Sequence, residues 1–153
     1  MCIRDRYKTS WNGFKLHLDV CDAGIPISAL ITSASLHDSQ VGIPLMKMTT
    51  ERISYCYDLM DAAYDDQHIR ETSKKLGHVP IIDRNGRGKE VVPMAPHEAV
   101  RYRERSTAER ANARMKDDFG ATHVRVRGHA KVSMHLMLGV ITLFADQLIK
   151  LLG

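Results

Sequence analysis

The sequence predicts one mixed α/β domain, in which strands and helices alternate and two long helices end the chain. Apolar and polar residues alternate at a spacing of two early in the chain, which is typical of strands. Long runs of helix-forming residues occupy the last third. With 153 residues, 44% of them hydrophobic and 26% charged, the chain can bury one core of its own.

The first predicted elements are an antiparallel hairpin and a helix. Apolar and polar side chains alternate over residues 14–20, and a turn at residues 22–24 leads into a second apolar run at 25–32. Asp38 or Ser39 is then placed to cap the first helix, because both side chains can accept a hydrogen bond from a free backbone N–H.

A strand, a helix and another strand are predicted next. Residues 53–60 form a short apolar run that ends at Asp61, and Asp65 is placed to cap a helix through about Leu76. Residues 79–82 then read as a further strand. The predicted order is β-β-α-β-α-β, with a carboxylate at the carboxyl end of a strand, where open sheets tend to place their chemistry.

The remaining chain predicts a connection followed by two helices. Residues 83–96 are glycine-rich and basic but lack the pattern of a phosphate-binding loop, which favours a solvated connection. Helices are predicted at 98–119 and at 131–152. Polar residues such as Asp146 and Lys150 interrupt the apolar stretch of the second helix, so we expect a buried helix rather than a membrane span.

The amino terminus and the cysteines predict a cytoplasmic protein. Residues 1–6 show neither a cap nor a strand pattern and resemble translated adapter sequence, so we place the domain at residues 7–153. The start has no apolar core of a signal peptide. Cys2, Cys21 and Cys56 form no C-x-x-C pair, which argues against a disulfide framework and against a zinc ribbon.

Charge and histidine spacing narrow the class of partner. The chain carries 22 Lys and Arg against 18 Asp and Glu, a formal charge of +4, which favours a polyanionic partner. Its eight histidines show no tight ligand spacing, and His97-Glu98 lacks the second histidine of the zinc-hydrolase pattern. The histidine spacing therefore gives only weak support to a zinc hydrolase.

The most informative segment is the predicted helix at 98–119. Tyr102, Arg105, Glu109 and Lys116 fall within roughly a 60° arc of one helix face. The opposite face is apolar and is expected to be buried; it consists of Val100, Ala108, Ala111, Met115 and Phe119. By itself, the pattern is more typical of an ordinary solvated helix with an ion pair between Arg105 and Glu109 than of a functional site.

The spacing Y-x-x-R-x-x-x-E-x-x-x-x-x-x-K resembles the signature of bacterial insertion-sequence transposases of the DDE type. Two further segments, residues 13–39 and 59–65, resemble the same family in the same order. The resemblance covers nearly the whole chain from about residue 7. It implies a ribonuclease-H-like mixed sheet flanked by helices, and an activity that cuts DNA and rejoins it at the ends of the element.

The resemblance also implies a metal site. Asp61 is then the second acid of the Asp-Asp-Glu triad and Glu109 is the third. Such a triad holds two Mg²⁺ (or Mn²⁺) ions about 4 Å apart, and hard cations prefer carboxylate oxygens. Arg105 and Lys116 would keep these acids ionised and contact DNA. Tyr102 is expected either to order the helix or contact DNA, or to be a packing residue whose hydroxyl lies at the surface.

The family implies double-stranded DNA as the partner, at the element ends and at the target, and a homodimer. Arg125 and Arg127 alternate with valines, which would direct basic groups to phosphates from one face. A solvated basic edge explains the same pattern equally well. We list both arginines with Tyr102, Arg105 and Lys116 as candidate DNA-binding residues.

The family's first catalytic Asp has no counterpart here. It belongs on a strand that precedes the first strand of the hairpin, and neither Asp19 nor Asp22 occupies that place. We therefore expect an amino-terminally truncated catalytic part, the carboxyl-terminal piece of a transposase, with little activity of its own. The alternatives are a DNA-binding remnant without metal chemistry and a metal-dependent nuclease of the same fold.

Overall fold

The computed structural model describes residues 13–86 and 93–153. The predicted leader and part of the predicted connection lie outside these residues. Within them the chain forms strands β1 (Phe14–Val20), β2 (Pro26–Ser33), β3 (Tyr57–Met60) and β4 (Val79–Ile82), and helices α1 (Ser39–Thr50), α2 (Gln67–Lys75), α3 (Pro96–Tyr102), α4 (Ser106–Asp117) and α5 (His129–Leu152). Short 3-10 helices lie at Ala62–Tyr64 and Arg103–Arg105. The predicted order of elements is confirmed.

The predicted hairpin is present. β1 and β2 pair antiparallel from Phe14 opposite Ser33 to Val20 opposite Pro26. Gly24 closes the connection with a φ of 77°, and its N–H donates to the carbonyl of Cys21 at 2.9 Å. Glycine suits this position because the left-handed conformation is strained for residues that carry a Cβ.

β3 and β4 form a parallel pair, with Tyr57 opposite Val79 and Met60 opposite Ile82. Helix α2 makes the crossover between them. β3 begins later than the predicted residue 53, because the N–H of Ile53 still donates to the carbonyl of Thr49 at the end of α1. Because the pair is parallel, the carboxyl ends of both strands meet at one edge.

The four described strands form two separate sheets of two strands each. This differs from the single mixed sheet that the resemblance implies, because no hydrogen-bonded ladder joins β1 or β2 to β3 or β4 in the described part of the chain. Each sheet has its own core. One core centres on Met46, Ile69 and Ile82, and the other on Ala111, Met115 and Leu143, packed against β1.

Two of the predicted helix caps are wrong. Asp38 precedes α1 but has helical backbone angles and makes no capping hydrogen bond; its carboxylate instead accepts from Lys15 Nζ at 2.9 Å. Asp66, rather than Asp65, caps α2 by accepting from the N–H of His68 at 2.7 Å. Neighbouring aspartates compete for such positions, and tertiary contacts decide between them.

The predicted helix at 98–119 is divided by the 3-10 turn at Arg103–Arg105. A 3-10 turn has fewer residues per turn than an α-helix and rotates the faces on either side relative to each other. Ala111 and Met115 are buried as predicted, but Val100, before the turn, is 63% exposed. The prediction that Val100 belongs to the buried stripe is therefore wrong.

Helix α5 is buried along one side only. Val132, Leu136 and Leu143 are buried, and a Cβ at Gly139 would come within 3.0 Å of the Met115 methyl group, which explains glycine where α4 and α5 meet. The opposite side is apolar and exposed, so the predicted buried helix is only half buried. By length and composition α5 could also cross a membrane, although the core helices of soluble proteins pass the same test. Within the apolar window of α5, 28% is buried inside the protein.

Candidate active site

Two acids stand at the carboxyl end of the parallel pair. Asp61 directly follows β3, and Asp83 directly follows β4. The N–H of Asp83 donates to the carbonyl of Met60 at 3.1 Å, which continues the pairing by one more bond. Both side chains are exposed. The carboxylate of Asp61 is oriented by the N–H of Ala63, which donates to its Oδ1 at 3.0 Å.

Tyr102 connects these acids to the signature helix. Partial burial raises the pKa of its phenol, and the carboxylates of Asp83, Asp61 and Glu109 raise it further, whereas the Arg105 guanidinium lowers it. Because such charge effects decline with distance, each of these three acids lies near enough to Tyr102 to act on the charge of its phenol. That Asp61 and Glu109 act together in one site stays a prediction.

Arg105 joins Tyr102 to Glu109. Its guanidinium lies 5.5 Å from the centre of the Tyr102 ring, and its Nη2 is 2.7 Å from Glu109 Oε1. The ion pair has i,i+4 spacing and the Glu109 side chain is 60% exposed, so it contributes only about 0.3 to 0.5 kcal/mol. Its role is to orient Glu109 rather than to stabilise the fold. Lys116 is exposed farther along α4.

Two further residues around this surface were missed by the sequence analysis. Asp83 was assigned only to a connection, although its place directly after a strand equals that of Asp61. Arg101 stacks its guanidinium 4.0 Å from the centre of the Tyr57 ring and so fixes α3 against β3. No spacing rule finds the second contact, because the partners belong to different elements.

Asp65 anchors the loop after β4. Its Oδ2 accepts from the N–H of Asn85 at 3.0 Å, and Arg70 Nη2 lies 2.7 Å from its Oδ1. The bond from Asn85 and then the bond from Arg70 lower the pKa of this carboxyl. Asp65 therefore has a structural role, since it holds the segment beyond Asp83 against α2.

The donor chemistry around Tyr102 fits a divalent cation in part. Asp61 and Glu109 are exposed carboxylates, and each engages one oxygen in the contacts described above, which leaves the other oxygen for a hard cation. In residues 13–86 and 93–153, however, these acids do not form a set of three ligand atoms within 4.8 Å of one another. Among the described residues, Asp61 and Glu109 thus supply carboxylate oxygens of the kind that a hard cation prefers, but not a closed set of three ligands.

Arg125 and Arg127 lie between α4 and α5 and are exposed. The described residues 121–128 form no strand. No pleated backbone therefore directs the two arginines to one face, as the alternation with valines would require. Val124 is nevertheless half buried and Val126 is 37% exposed. Both guanidinium groups therefore reach solvent, which a contact with DNA phosphates requires.

Asp19 points into the protein interior rather than into the acidic surface. Its carboxylate accepts a hydrogen bond from the hydroxyl of Thr49 on α1, and Thr49 also bonds the hydroxyl of Ser28 at 2.9 Å. Burial raises the pKa of Asp19, and the nearby Asp58 raises it further. Asp19 is thus an interior acid that joins the hairpin to α1.

The fold and this surface together define a mixed α/β domain with acids at one end of a parallel strand pair, beside a basic helix. Residues 4–145 match the family model described as Transposase DDE domain. The chain therefore belongs to the transposase DDE domain family. Membership in this family implies a transposition-related function and DNA as the partner, and the family normally uses a divalent metal. The curated proteins and the solved structures compared with the chain gave no match.

Replacing Asp19 by Asn should change how stability depends on pH. Because the folded pKa of Asp19 is raised above its ordinary 3.8, the folded protein holds this proton more tightly than the unfolded chain does. That contribution is fully present below the ordinary pKa and is lost as pH rises through the folded value. The Asp19→Asn variant lacks this loss, so its free energy of unfolding should improve relative to wild type from about pH 4 to pH 7.

Urea unfolding followed by circular dichroism across a pH series measures this difference. Asp22→Asn, in the exposed turn of the same hairpin, is the matched control and should follow the wild-type curve. A difference between wild type and Asp19→Asn that stays constant across the series would show that the pKa of Asp19 is not raised.

Proposed function

We propose that the chain is the catalytic part of a bacterial insertion-sequence transposase, in which Asp61 and Glu109 are two of the three metal-binding acids. The intact protein then cuts and rejoins DNA at the element ends. The observation that carries this proposal is the position of Tyr102, whose ring lies within the electrostatic reach of both carboxylates. One acid follows a strand and the other lies on a helix far along the chain, and in this proposal both belong to one surface.

Each residue of this surface has a distinct role in the proposal. Asp61 is held in place by the N–H of Ala63, and Arg105 holds Glu109, so both carboxylates are oriented before DNA arrives. Lys116 and Arg105 supply positive charge for the phosphate backbone. Mg²⁺ or Mn²⁺ bound by these carboxylates would assist attack by a water or 3′-hydroxyl and stabilise the leaving oxygen.

The third acid belongs, in this proposal, to a further strand that pairs with the edges of the described sheets. β1 and β3 each have one strand partner among the described residues, so each offers an edge to a further strand. A strand between them would join the two sheets into one mixed, ribonuclease-H-like sheet. Its carboxyl end would then lie beside the end of β3, where Asp61 stands.

A DNA-binding remnant without metal chemistry is the second candidate. It is favoured by the ion pair that occupies Glu109 and by the absence of a three-acid set among the described residues. This candidate uses the basic segment around Arg125 and Arg127 but needs neither Asp61 nor a metal. The two candidates therefore differ in what the acids do.

A homodimer is part of the same proposal. The exposed side of α5 carries apolar residues at alternating spacings of four and three along the chain. They are Met134, Leu138, Ile141, Ala145, Leu148 and Leu152, all of them large except Ala145. This is the spacing of a helix-to-helix seam. We propose that the same stripe of a second copy covers it.

Asp61→Asn and Glu109→Gln should each abolish DNA cleavage by the intact protein. We expect a loss of about 10³-fold, or roughly 4 kcal/mol of transition-state stabilisation, because each variant removes a charged oxygen donor. The measurement uses a plasmid that carries the element ends, with Mg²⁺ or Mn²⁺, and the purified intact protein.

Asp117→Asn provides the matched control, because Asp117 is an exposed acid at the end of α4. This variant should cleave DNA as the wild type does. Full cleavage by Asp61→Asn would refute the proposed site. Cleavage by the wild type without any joining of strands would identify a nuclease of the same fold instead.

Arg125→Ala and Arg127→Ala should weaken binding of duplex DNA by the 153-residue chain. Each should reduce the slope of log affinity against log salt by about one, because each removes one phosphate contact. Fluorescence anisotropy with a labelled duplex measures this slope without metal.

Arg52→Ala, at an exposed arginine after α1, is the control and should leave the slope unchanged. If Arg125→Ala and Arg127→Ala also leave it unchanged, the segment between α4 and α5 does not contact DNA. Asp61→Asn should not weaken binding under either candidate.

Leu138→Glu should convert the protein to a monomer. Leu138 is 54% exposed at the centre of the proposed seam, and a charge buried there without a partner weakens association by about 100-fold or more. Sedimentation velocity over a range of concentrations measures the dissociation constant. Thr142→Glu, also exposed on α5 but beside the seam, should remain dimeric. A wild-type chain that is monomeric at every concentration would refute this interface.

A further inference from the structure

A second cluster of ligand-type side chains lies at the opposite end of the parallel pair from Asp61. Cys56 directly precedes β3, Asp58 lies within β3, and His78 directly precedes β4. Cys56 and Asp58 share one face because alternate residues of an extended chain point the same way. The bond from the N–H of Val79 to the carbonyl of Cys56, 2.9 Å long, brings His78 beside them.

The distances within this cluster suit a common cation. One ligand atom from each of the three side chains lies within 4.8 Å of the other two. His78 Nδ1 is 3.1 Å from Asp58 Oδ2, and Cys56 Sγ is 3.6 Å from Asp58 Oδ1. Zinc bonds of about 2.0 to 2.3 Å place the ligand atoms of a tetrahedral site about 3.5 Å apart.

The hydrogen bonds of His78 point the lone pair of Nδ1 into the cluster. The hydroxyl of Thr50 donates its proton to the carbonyl of Met46 at 2.9 Å. Its oxygen, 3.1 Å from His78 Nε2, therefore accepts the proton of that nitrogen. In the neutral ring Nδ1 then has no proton and faces the oxygens of Asp58, which are acceptors as well. A positive charge between Nδ1 and the carboxylate oxygens would remove the repulsion between these acceptors.

Burial makes that positive charge necessary. The His78 side chain is fully buried and that of Asp58 is 6% exposed, so water does not solvate the carboxylate. Ser73, itself fully buried, donates to Asp58 Oδ2 at 2.5 Å and thereby orients the carboxylate. Asp19 adds to the negative field, since it lies close enough for Asp58 and His78 to act on its charge.

We propose that Cys56, Asp58 and His78 bind one Zn²⁺ ion that ties β3 to β4. A sulfur, an imidazole nitrogen and a carboxylate oxygen form a donor set that zinc accepts and that Mg²⁺ avoids. Thr50 and Ser73 hold the outer sides of His78 and Asp58, as partners of metal ligands commonly do. The site lies at the end of the strands away from Asp61, and its three protein ligands leave the fourth tetrahedral position to a water molecule.

A proton on Nδ1 of His78 is the competing source of positive charge. It would give an imidazolium paired with Asp58, and it would satisfy those two residues equally well. Such a pair has no need of Cys56, whereas a zinc site uses its thiolate. The contribution of the sulfur therefore separates the two explanations.

Cobalt substitution tests the sulfur directly. The 153-residue chain, stripped of metal with a chelator and kept reduced, is titrated with Co²⁺ and followed by absorption. We expect a thiolate-to-cobalt charge-transfer band in the near ultraviolet that saturates at one equivalent, and its displacement by Zn²⁺. A Zn²⁺-dependent rise in Tm should accompany it, since the ion binds the folded state.

Variants then assign the ligands. Cys56→Ser should remove the charge-transfer band, whereas Cys21→Ser, at the half-buried cysteine of the hairpin turn, should retain it. Thr50→Val should keep the band and weaken Zn²⁺ affinity by about 10- to 100-fold, because it releases the outer nitrogen of His78. Circular dichroism confirms that each variant is folded.

The wild-type protein by itself decides the outcome if Cys56→Ser does not fold. A folded wild type that shows neither the band nor a Zn²⁺-dependent rise in Tm overturns the proposal and leaves the imidazolium pair. A band that survives in folded Cys56→Ser also overturns it. Neither result bears on DNA cleavage, which rests on Asp61 and Glu109.

Discussion

The parallel pairing of β3 with β4 is the constraint on which both proposed sites depend. Parallel strands have distinct ends, so residues that follow the strands gather at one edge and residues that precede them gather at the other. Asp61 and Asp83 thereby meet at the carboxyl edge, which is exposed. Cys56 and His78 meet at the amino edge, where Asp58 and His78 are buried. One pairing thus produces an open acidic surface and a closed polar cluster.

The exposure of the two edges explains why their chemistry differs. At the carboxyl edge Asp61 and Asp83 are exposed, as the proposed binding of a hard cation and DNA phosphates requires, and Arg105 contacts both Glu109 and the Tyr102 ring. At the amino edge an unneutralised carboxylate is costly because solvent does not reach it. The first environment suits exchange of metal and DNA, and the second suits a resident ion.

Local signals in the sequence predicted the elements well where one interaction dominates. The hairpin follows from its alternation and turn, and α2 ends where Gly77 takes a φ of 83°. Predictions were wrong where two neighbours compete or where a helix changes its pitch. Asp66, rather than the predicted Asp65, caps α2. Val100 precedes the 3-10 turn and is exposed instead of belonging to the buried stripe. Packing between elements decides such cases, and local spacing does not encode it.

By itself the sequence indicated the family and the two candidate acids, because the spacing of Tyr102, Arg105, Glu109 and Lys116 and the segment around Asp61 can be read along the chain. Only the tertiary structure placed Asp61 and Asp83 at one edge, divided the described strands into two sheets and assembled the cluster around His78. The physical reason is that these relations join side chains from separate elements, whose approach depends on strand pairing and burial rather than on their distance in sequence.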